Sequence, residues 1–434
     1  MNMANAFSSF CSSILLDNFE AMKTTVGEIT KKLNKEYYDL SSDSESHMYI
    51  VGSVGRNTAV KNASDLDILF DLPNDEYLRF NNYEGNGQSQ LLQEVKNVLK
   101  ERYPKTTLRG DGQVVSIEFN SYTVELVPGF KQSDDRFRYP DTHNGGSWKY
   151  TDPISEQDEC ECCNMRSNGN YYNFCHIVRC LRNQMGFAMG GLLIDTLVYN
   201  HFSLSDDYSD CGYVDYLTIF KNLLGYLKGL NKDQTFWYAV GSNQQVNNTD
   251  SGSWISKMND AYEILIEAED DSEDMAEALR DLLGKDFPIE EKKNGKNLRD
   301  FNRLEVKEEF IENYFPVDIC YSLQLECLIT QDGWRPALLR DMLKRKQWLR
   351  HNKKLDFYIN NTNCPKPYSI YWKVRNVGEE AIRRNMIRGE IKRTNSSHQI
   401  EHTDFYGHHY VECYLVKNGI CVARDRIDVP IGWQ

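Results

Sequence analysis

The chain reads as an α+β protein, with a small mixed sheet crossed by a helix, then a helix-rich lobe, then a β-rich terminal unit. Three observations predict this. Short apolar runs flank one helical stretch between residues 48 and 127. Three- and four-residue apolar steps dominate from Tyr171 to Leu283, and aromatic and β-branched residues alternate with period two after residue 363. At 434 residues the chain exceeds one ordinary core, and 40% hydrophobic with 26% charged residues is the composition of a folded protein.

Phe7, Phe10, Ile14, Phe19, Met22, Val26, Ile29, Leu33 and Tyr37 predict one long amphipathic helix from Asn5 to Tyr38, bracing the unit that follows. Strands are expected at Met48–Val51, Leu66–Leu72, Val114–Phe119 and Tyr122–Val127, with a helix at Gln90–Arg102. The second lobe should hold helices at Tyr171–Met185, Leu192–His201, Tyr213–Gly229, Ser253–Asp270 and Ser272–Leu283. A basic helix over Pro336–Lys354 then closes a lobe spanning residues 156–355. The division is 1–155, 156–355 and 363–434, the last stretch carrying eleven Lys/Arg against eight Asp/Glu. Its small positive balance, inside a chain of net charge -14, suggests a separate task such as holding an anion.

The acidic balance argues against gripping duplex nucleic acid, which rewards a basic stripe. Small nucleotides carried with Mg²⁺ remain compatible. The most apolar stretch, Met185–Val198, is interrupted by Gly186, Gly190, Gly191 and Asp195, so no membrane span is expected. The first twenty residues lack the features of a secretory signal, and the expectation is a cytoplasmic protein whose twelve cysteines are reduced. Cys160, Cys162, Cys163, Cys175, His176 and Cys180 lie close in sequence, but their spacing fits no common zinc knuckle, and buried thiols are the expectation. His398, His402, His408 and His409, beside Tyr406, Tyr410 and Tyr414, leave metal binding, base stacking and sheet packing open.

The chemistry is concentrated in Val51-Gly-Ser-Val-Gly-Arg-Asn-Thr58 and Ser64-Asp-Leu-Asp-Ile-Leu-Phe70. Gly52 lets the backbone approach a phosphate, and Ser53 offers it a hydroxyl and an amide where a helix begins. Asp65 and Asp67, two apart on a strand, leave the same face. Such carboxylates suit two Mg²⁺ about 4 Å apart, one activating a hydroxyl and one holding a triphosphate, with Mn²⁺ as a substitute. Glu125, in the strand Tyr122–Val127, is the candidate third carboxylate, and Glu118 is its rival. Arg56 and Thr58 are candidates for nucleotide contact or for supporting the turn. Arg179 and Arg182 are candidates for triphosphate oxygens or for a solvated helix face, and Asp195 reads as structural.

The run GSVGRNT, then SDLDILF, then VELVP resembles the polymerase-β-type nucleotidyltransferases, and within them the bacterial CD-NTases, relatives of cyclic GMP-AMP synthase and oligoadenylate synthetase in anti-phage defence. The resemblance continues through Trp148, Thr151-Asp-Pro153 and Leu283-Gly-Lys-Asp-Phe-Pro288. It implies a metal-dependent enzyme in which Asp65, Asp67 and Glu125 hold the metals, Gly52 and Ser53 bind nucleotide, and an effector protein responds to the product. The family's third carboxylate is normally aspartate, and Glu125 reaches one methylene further. Tyr371–Ala381, Ile387–Ile391 and Tyr406–Arg424 resemble the adenylyl/guanylyl and SMODS C-terminal sensor domain, which implies sensing of a nucleotide-type ligand. Three readings follow: a cyclic oligonucleotide synthase; a synthase of a linear oligonucleotide such as oligodeoxyadenylate, with a terminal-unit tyrosine as a candidate primer; and a non-catalytic nucleotide sensor.

Overall fold

The apolar repeat at the N-terminus forms two helices where one is expected. In the structure, a computed structural model describing residues 2–248, 252–270, 272–289, 308–331, 333 and 335–432, α1 (Met3–Ser13) and α2 (Phe19–Tyr38) are separated by a short extended segment. There Leu15 bridges Val60, and Lys61 donates its backbone N–H to the Ile14 carbonyl at 2.8 Å. Asp17 and Asn18 favour helix starts over helix interiors, so the break falls where the chain gains a partner. The two helices serve different cores. Phe7, Phe10 and Ile14 pack into the helical lobe, whereas Met22, Val26, Ile29 and Leu33 pack under the sheet.

That sheet contains β1 (Met48–Ile50), β2 (Asp65–Asp71), β3 (Thr107–Asp111), β4 (Val114–Glu118) and β5 (Thr123–Lys131), in the order β1-β2-β5-β4-β3. β2 and β5 are parallel, and the other pairs are antiparallel. Between the strands lie α3 (Gly52–Gly55), α4 (Asn74–Asn81) and α5 (Gly87–Arg102), and Leu66, Ile68 and Phe70 join Val124 and Leu126 against α2 and α5. By alternation, Asp65, Asp67 and Glu125 occupy the opposite face. β3 and a ribbon of β6 (Phe137–Asp141) and β7 (Ser147–Thr151), which continues from the end of β5, are additions to the expected strands.

The helical lobe begins with α6 (Pro153–Arg166), followed by α7 (Asn170–Met185), α8 (Gly191–Phe202) and α9 (Tyr216–Lys228). Its buried centre includes Phe174, Tyr216, Phe220 and Trp254. Phe287 lies edge-on to Phe7, with ring centroids 5.3 Å apart, and 5.4 Å from Phe10, so the segment after the helix Glu273–Leu283 clamps α1. The cysteine-rich run divides among helix faces. Cys160 lies 3.1 Å from the Tyr171 hydroxyl, Cys175 is buried, and Cys162 points to solvent. Burial pushes the thiols of Cys160 and Cys180 up to about 12, and His176 turns its Nε2 to the Asn57 carbonyl at 3.2 Å.

The terminal unit starts earlier than the sequence suggests. After a two-stranded ribbon in the helical lobe, β8 (Phe236–Tyr238) and β9 (Gln245–Asn247), the strands β10 (Leu323–Thr330), β11 (Ala337–Leu338), β12 (Lys354–Thr362) and β15 (His398–His402) share one sheet. β13 (Ser369–Arg375), β14 (Arg388–Thr394), β16 (Gly407–Lys417) and β17 (Ile420–Ile431) form another. Leu325, Cys327 and Phe357 from the first pack with Trp372, Cys413 and Leu415 from the second in one core. The boundary read between 355 and 363 therefore cuts through a sheet. The expected helix over Pro336–Lys354 shrinks to Leu339–Lys344, because Lys346 and Asn352 adopt positive φ and turn the chain into β12.

The positive residues of this unit are largely tied up internally. Lys373 contacts Glu308 and Glu412, Arg375 contacts Glu308, and Arg424 contacts Glu312 and Glu412. The histidines disperse: His398 pairs with Asp356, His408 packs against Trp348, and His409 is buried beside Phe405. The Tyr410 and Tyr414 hydroxyls donate to Glu308 and Glu412.

Replacing Phe7 by Ala empties a fully buried site between Tyr216 of the helical lobe and the Phe287 clamp, and is expected to cost about 3–5 kcal/mol. Urea unfolding measures it, and a loss below about 1 kcal/mol contradicts the clamp.

Candidate active site

β1 ends at Ile50, and from Val51 the chain enters a single helical turn, Gly52–Gly55, before reaching β2. Gly52 has φ +64°, and a Cβ there would lie 1.9 Å from Asp67 Oδ2. Only glycine allows the turn to sit on that carboxylate. The register then sets the acids. Asp67 is directly opposite Glu125 in the parallel β2–β5 pair, with Asp65 opposite Thr123. Glu118, the rival, lies one strand further and pairs with Arg109 at 3.2 Å.

Gly52, Ser53, Asp65 and Asp67 line a cavity of about 250 Å³ between the sheet and the helical lobe, whose wall also includes Arg56, Arg179 and Arg182. Burial raises all three carboxyls. Asp65 reaches about 7, through loss of water and then the charges of Asp318, Glu125 and Asp67. For Asp67, burial is partly countered by Arg56, and for Glu125 it is reinforced by Asp67. Hard oxygen donors gathered where their own charges repel are the chemistry that suits a divalent cation. Among the described residues no three acidic, His or Cys side chains already converge on one point.

Arg56, Thr58 and Arg179, which the sequence offers to the nucleotide, are all paired with Asp195, while Arg56 and Arg179 also reach the cavity wall. Asp195, fully buried on α8, accepts from Arg56 Nε (3.0 Å), Thr58 Oγ1 (3.0 Å), Arg179 Nη1 (2.6 Å) and Arg179 Nη2 (3.0 Å). Arg56 also donates to Glu156 Oε2 at 3.0 Å, and Glu156 accepts from Ser242 at 3.0 Å. Burial alone would raise the Asp195 carboxyl, but Arg179 and Arg56 outweigh it and hold it at about 2. The structural reading of Asp195 matches this geometry. Arg182, one turn beyond Arg179, lines the same cavity but meets Asp318 rather than Asp195.

Asp318 is the residue sequence reasoning missed. It lies 254 positions from Ser64, whose hydroxyl is 3.0 Å from Asp318 Oδ2 and 3.1 Å from Asp65 Oδ2. No motif surrounds it in Pro316-Val-Asp-Ile-Cys320, so only the folded chain reveals the meeting.

Comparison with known families identifies two domains. Residues 1–164 match the Second Messenger Oligonucleotide or Dinucleotide Synthetase (SMODS) domain, and residues 305–432 match the Adenylyl/Guanylyl and SMODS C-terminal sensor domain. The chain therefore carries an N-terminal second-messenger synthetase domain and a C-terminal sensor domain, a pairing that supports a CD-NTase-type nucleotidyltransferase. The second match also begins before β10, in agreement with the strand pairing.

Similar solved structures include CdnC with ATP from E. coli MS115-1, at 14% identity and TM-score 0.49 over 66% of this chain and 99% of that one. DncV cyclic AMP-GMP synthase from Vibrio cholerae matches at 13% identity and TM-score 0.44, over 66% and 87%. The CdnE c-UMP-AMP synthase of Rhodothermus marinus matches at 15% and 0.43, over 60% and 96%. At these scores they set no detail of this site. Comparison with curated proteins finds no match. Among the described residues no helix is long and apolar enough to cross a membrane.

Asp195→Asn should cost about 3–5 kcal/mol, because two buried guanidinium groups lose their shared anion. The folded carboxyl is depressed to about 2, so its contribution is complete above the ordinary carboxylate range and is lost as the pH falls toward 2. Urea midpoints of wild type and variant should therefore differ fully at pH 7 and converge below about pH 4.

Proposed function

We propose that this protein joins nucleoside triphosphates into a nucleotide second messenger, most simply a cyclic oligonucleotide, with Asp65, Asp67 and Glu125 holding two Mg²⁺. The observation that carries the reading is the side-by-side register of Asp67 and Glu125, with Gly52 packed on Asp67 and Ser53 at the same cavity wall. The residues that would hold the metals are buried carboxylates, and when bound the ions neutralise triphosphate charge and favour the alkoxide of the attacking hydroxyl.

Ser53 would bind the terminal phosphates through its hydroxyl and amide, and Arg182 would draw the triphosphate toward α7 by charge. A 2′- or 3′-hydroxyl then forms a bond to the α-phosphorus as the bond to the bridging oxygen breaks, and pyrophosphate leaves. Arg56 acts behind the reacting groups, keeping its positive charge near Asp67 while fixing the turn. The setting we infer is the cytoplasm of a cell under phage attack, where an effector protein would respond to the product.

A linear product is the second reading. For a protein primer, Tyr410 and Tyr414 are poorly suited, since both hydroxyls already donate to carboxylates, whereas Tyr406 is exposed. The non-catalytic sensor is the least favoured, because a scaffold has no need of three carboxylates crowded on one buried face.

Purified protein incubated with each labelled NTP and dNTP, with Mg²⁺ or Mn²⁺, is expected to release pyrophosphate and form a phosphatase-resistant product. A ladder of phosphatase-sensitive products would indicate the linear reading, and no product under any condition would remove both. D65A with D67A should lower the rate by at least about a thousandfold. Full activity in that variant would refute the assignment. Because protonated Asp65 must lose its proton to bind a cation, the Mg²⁺ concentration giving half-maximal rate should rise as the pH falls below about 7, by up to about tenfold per unit. A flat dependence between pH 6 and 8 would contradict this role for Asp65.

A further inference from the structure

The segment Val317–Cys320 runs from the terminal unit along the rim of the cavity, and each side of it is tied to a different part of the molecule. Toward the terminal unit, Val317 bridges Cys421, the Asp318 N–H donates to the Cys421 carbonyl at 3.0 Å, and the Cys320 N–H to that of Val422 at 3.1 Å. Toward the helical lobe, the Asn183 side-chain amide donates to the Val317 carbonyl at 3.0 Å and accepts the Ile319 N–H at 3.2 Å. The amide of Asn183 thus reads the strap as a neighbouring strand would. Held from both sides, the strap aims Asp318 into the cavity, with one carboxylate oxygen on Arg182 and the other on Ser64, next to Asp65.

We infer that Asp318 is a built-in competitor of the nucleotide's triphosphate, through which the terminal unit controls entry to the catalytic cavity. The inference rests on the proposed nucleotidyltransferase reading. Of the cations lining the cavity, Arg56 and Arg179 are committed to Asp195 and Lys61 to Asp286, whereas the partner of Arg182 is Asp318, an anion of the chain that itself lines the cavity. A triphosphate needs the same guanidinium and meets repulsion from a fixed carboxylate beside Asp65. Bound nucleotide and seated strap therefore exclude one another, and the apparent affinity is the intrinsic one reduced by the fraction of molecules with the strap withdrawn. The strap is bonded to β17 by backbone pairing, so a change in the terminal sandwich that shifts β17 moves Asp318 with it.

The test measures NTP binding with Mg²⁺ by calorimetry, together with steady-state rates, for wild type, Asp318→Asn and Asp318→Glu. Asp318→Asn keeps the shape and removes the charge. It is expected to lower Kd and KM by about tenfold without lowering kcat, while Asp318→Glu stays near wild type. Unchanged or weaker binding by Asp318→Asn, or a collapse of its kcat as for a metal ligand, overturns the inference while leaving the nucleotidyltransferase reading in place. Absence of nucleotide binding and turnover in all three proteins removes that reading and the inference with it. Hydrogen exchange on wild type supplies an independent readout that needs no variant. Saturating NTP should increase exchange at Asp318 and Ile319, and protection of those amides would mean the strap stays seated over the nucleotide.

Discussion

A single buried carboxylate, Asp195, determines how the catalytic turn and the helical lobe meet. It receives two contacts from the turn, through Arg56 and Thr58, and two from α7, through Arg179. Its own backbone carbonyl accepts from the Tyr171 hydroxyl at 3.1 Å, which ties α8 to the start of α7. A charge with no exposure to water persists only while its partners are in place, so neither lobe can slide without stranding an ion. The depth of the cleft is therefore fixed by electrostatics and by packing together. Gly52 and Ser53 inherit their position from this arrangement, because Arg56 caps the same turn three positions after Ser53.

The same arrangement divides labour between two arginines one turn apart. Arg179 is enclosed and meets a carboxylate from the core, so it is a fixed part of the scaffold. Arg182 also lies mostly buried, yet its anionic partner comes from a strap on the rim and its guanidinium faces the cavity. Charge-assisted pairs of this kind exchange partners when a stronger anion arrives, whereas those around Asp195 have nothing to exchange with. The sequence alone shows two arginines at helical spacing. It is the partner, a core carboxylate for Arg179 and a rim carboxylate for Arg182, that makes one structural and the other available.

What was legible in the sequence followed from local rules. Alternation identified β2 and β5, and periodicity identified the helices of the second lobe from α7 onward to within a few residues, whereas α6, at Pro153–Arg166, carries no apolar period and went unread. The split of the first helix was hidden because Phe7–Ile14 and Met22–Leu33 keep one apolar period while serving different cores. The start of the terminal unit was hidden because Lys344–Lys354 is basic and helix-favouring, and positive φ at Lys346 and Asn352 follows from the tertiary path. Asp318 was invisible for a stronger reason: its neighbours are Ser64 and Arg182, and no local pattern encodes a contact across most of the chain.

The end of α7 shows why the terminal unit is more than an appendage. Gly186 caps the helix at φ +70°, and a Cβ there would lie 2.1 Å from the Arg424 carbonyl, so the helix terminus sits directly on β17. Gln184 and Asn183 contact the same unit, and Arg182 and Arg179 follow toward the cavity. One helix thus carries, in successive turns, the core ion pair, the exchangeable arginine and the seat of the terminal sandwich. A packed helix moves as a rigid body more readily than it bends, so a displacement at Gly186 is felt at Arg182. The Asp195 network resists that displacement at Arg179, and the strap, anchored on β17 itself, yields before α7 does.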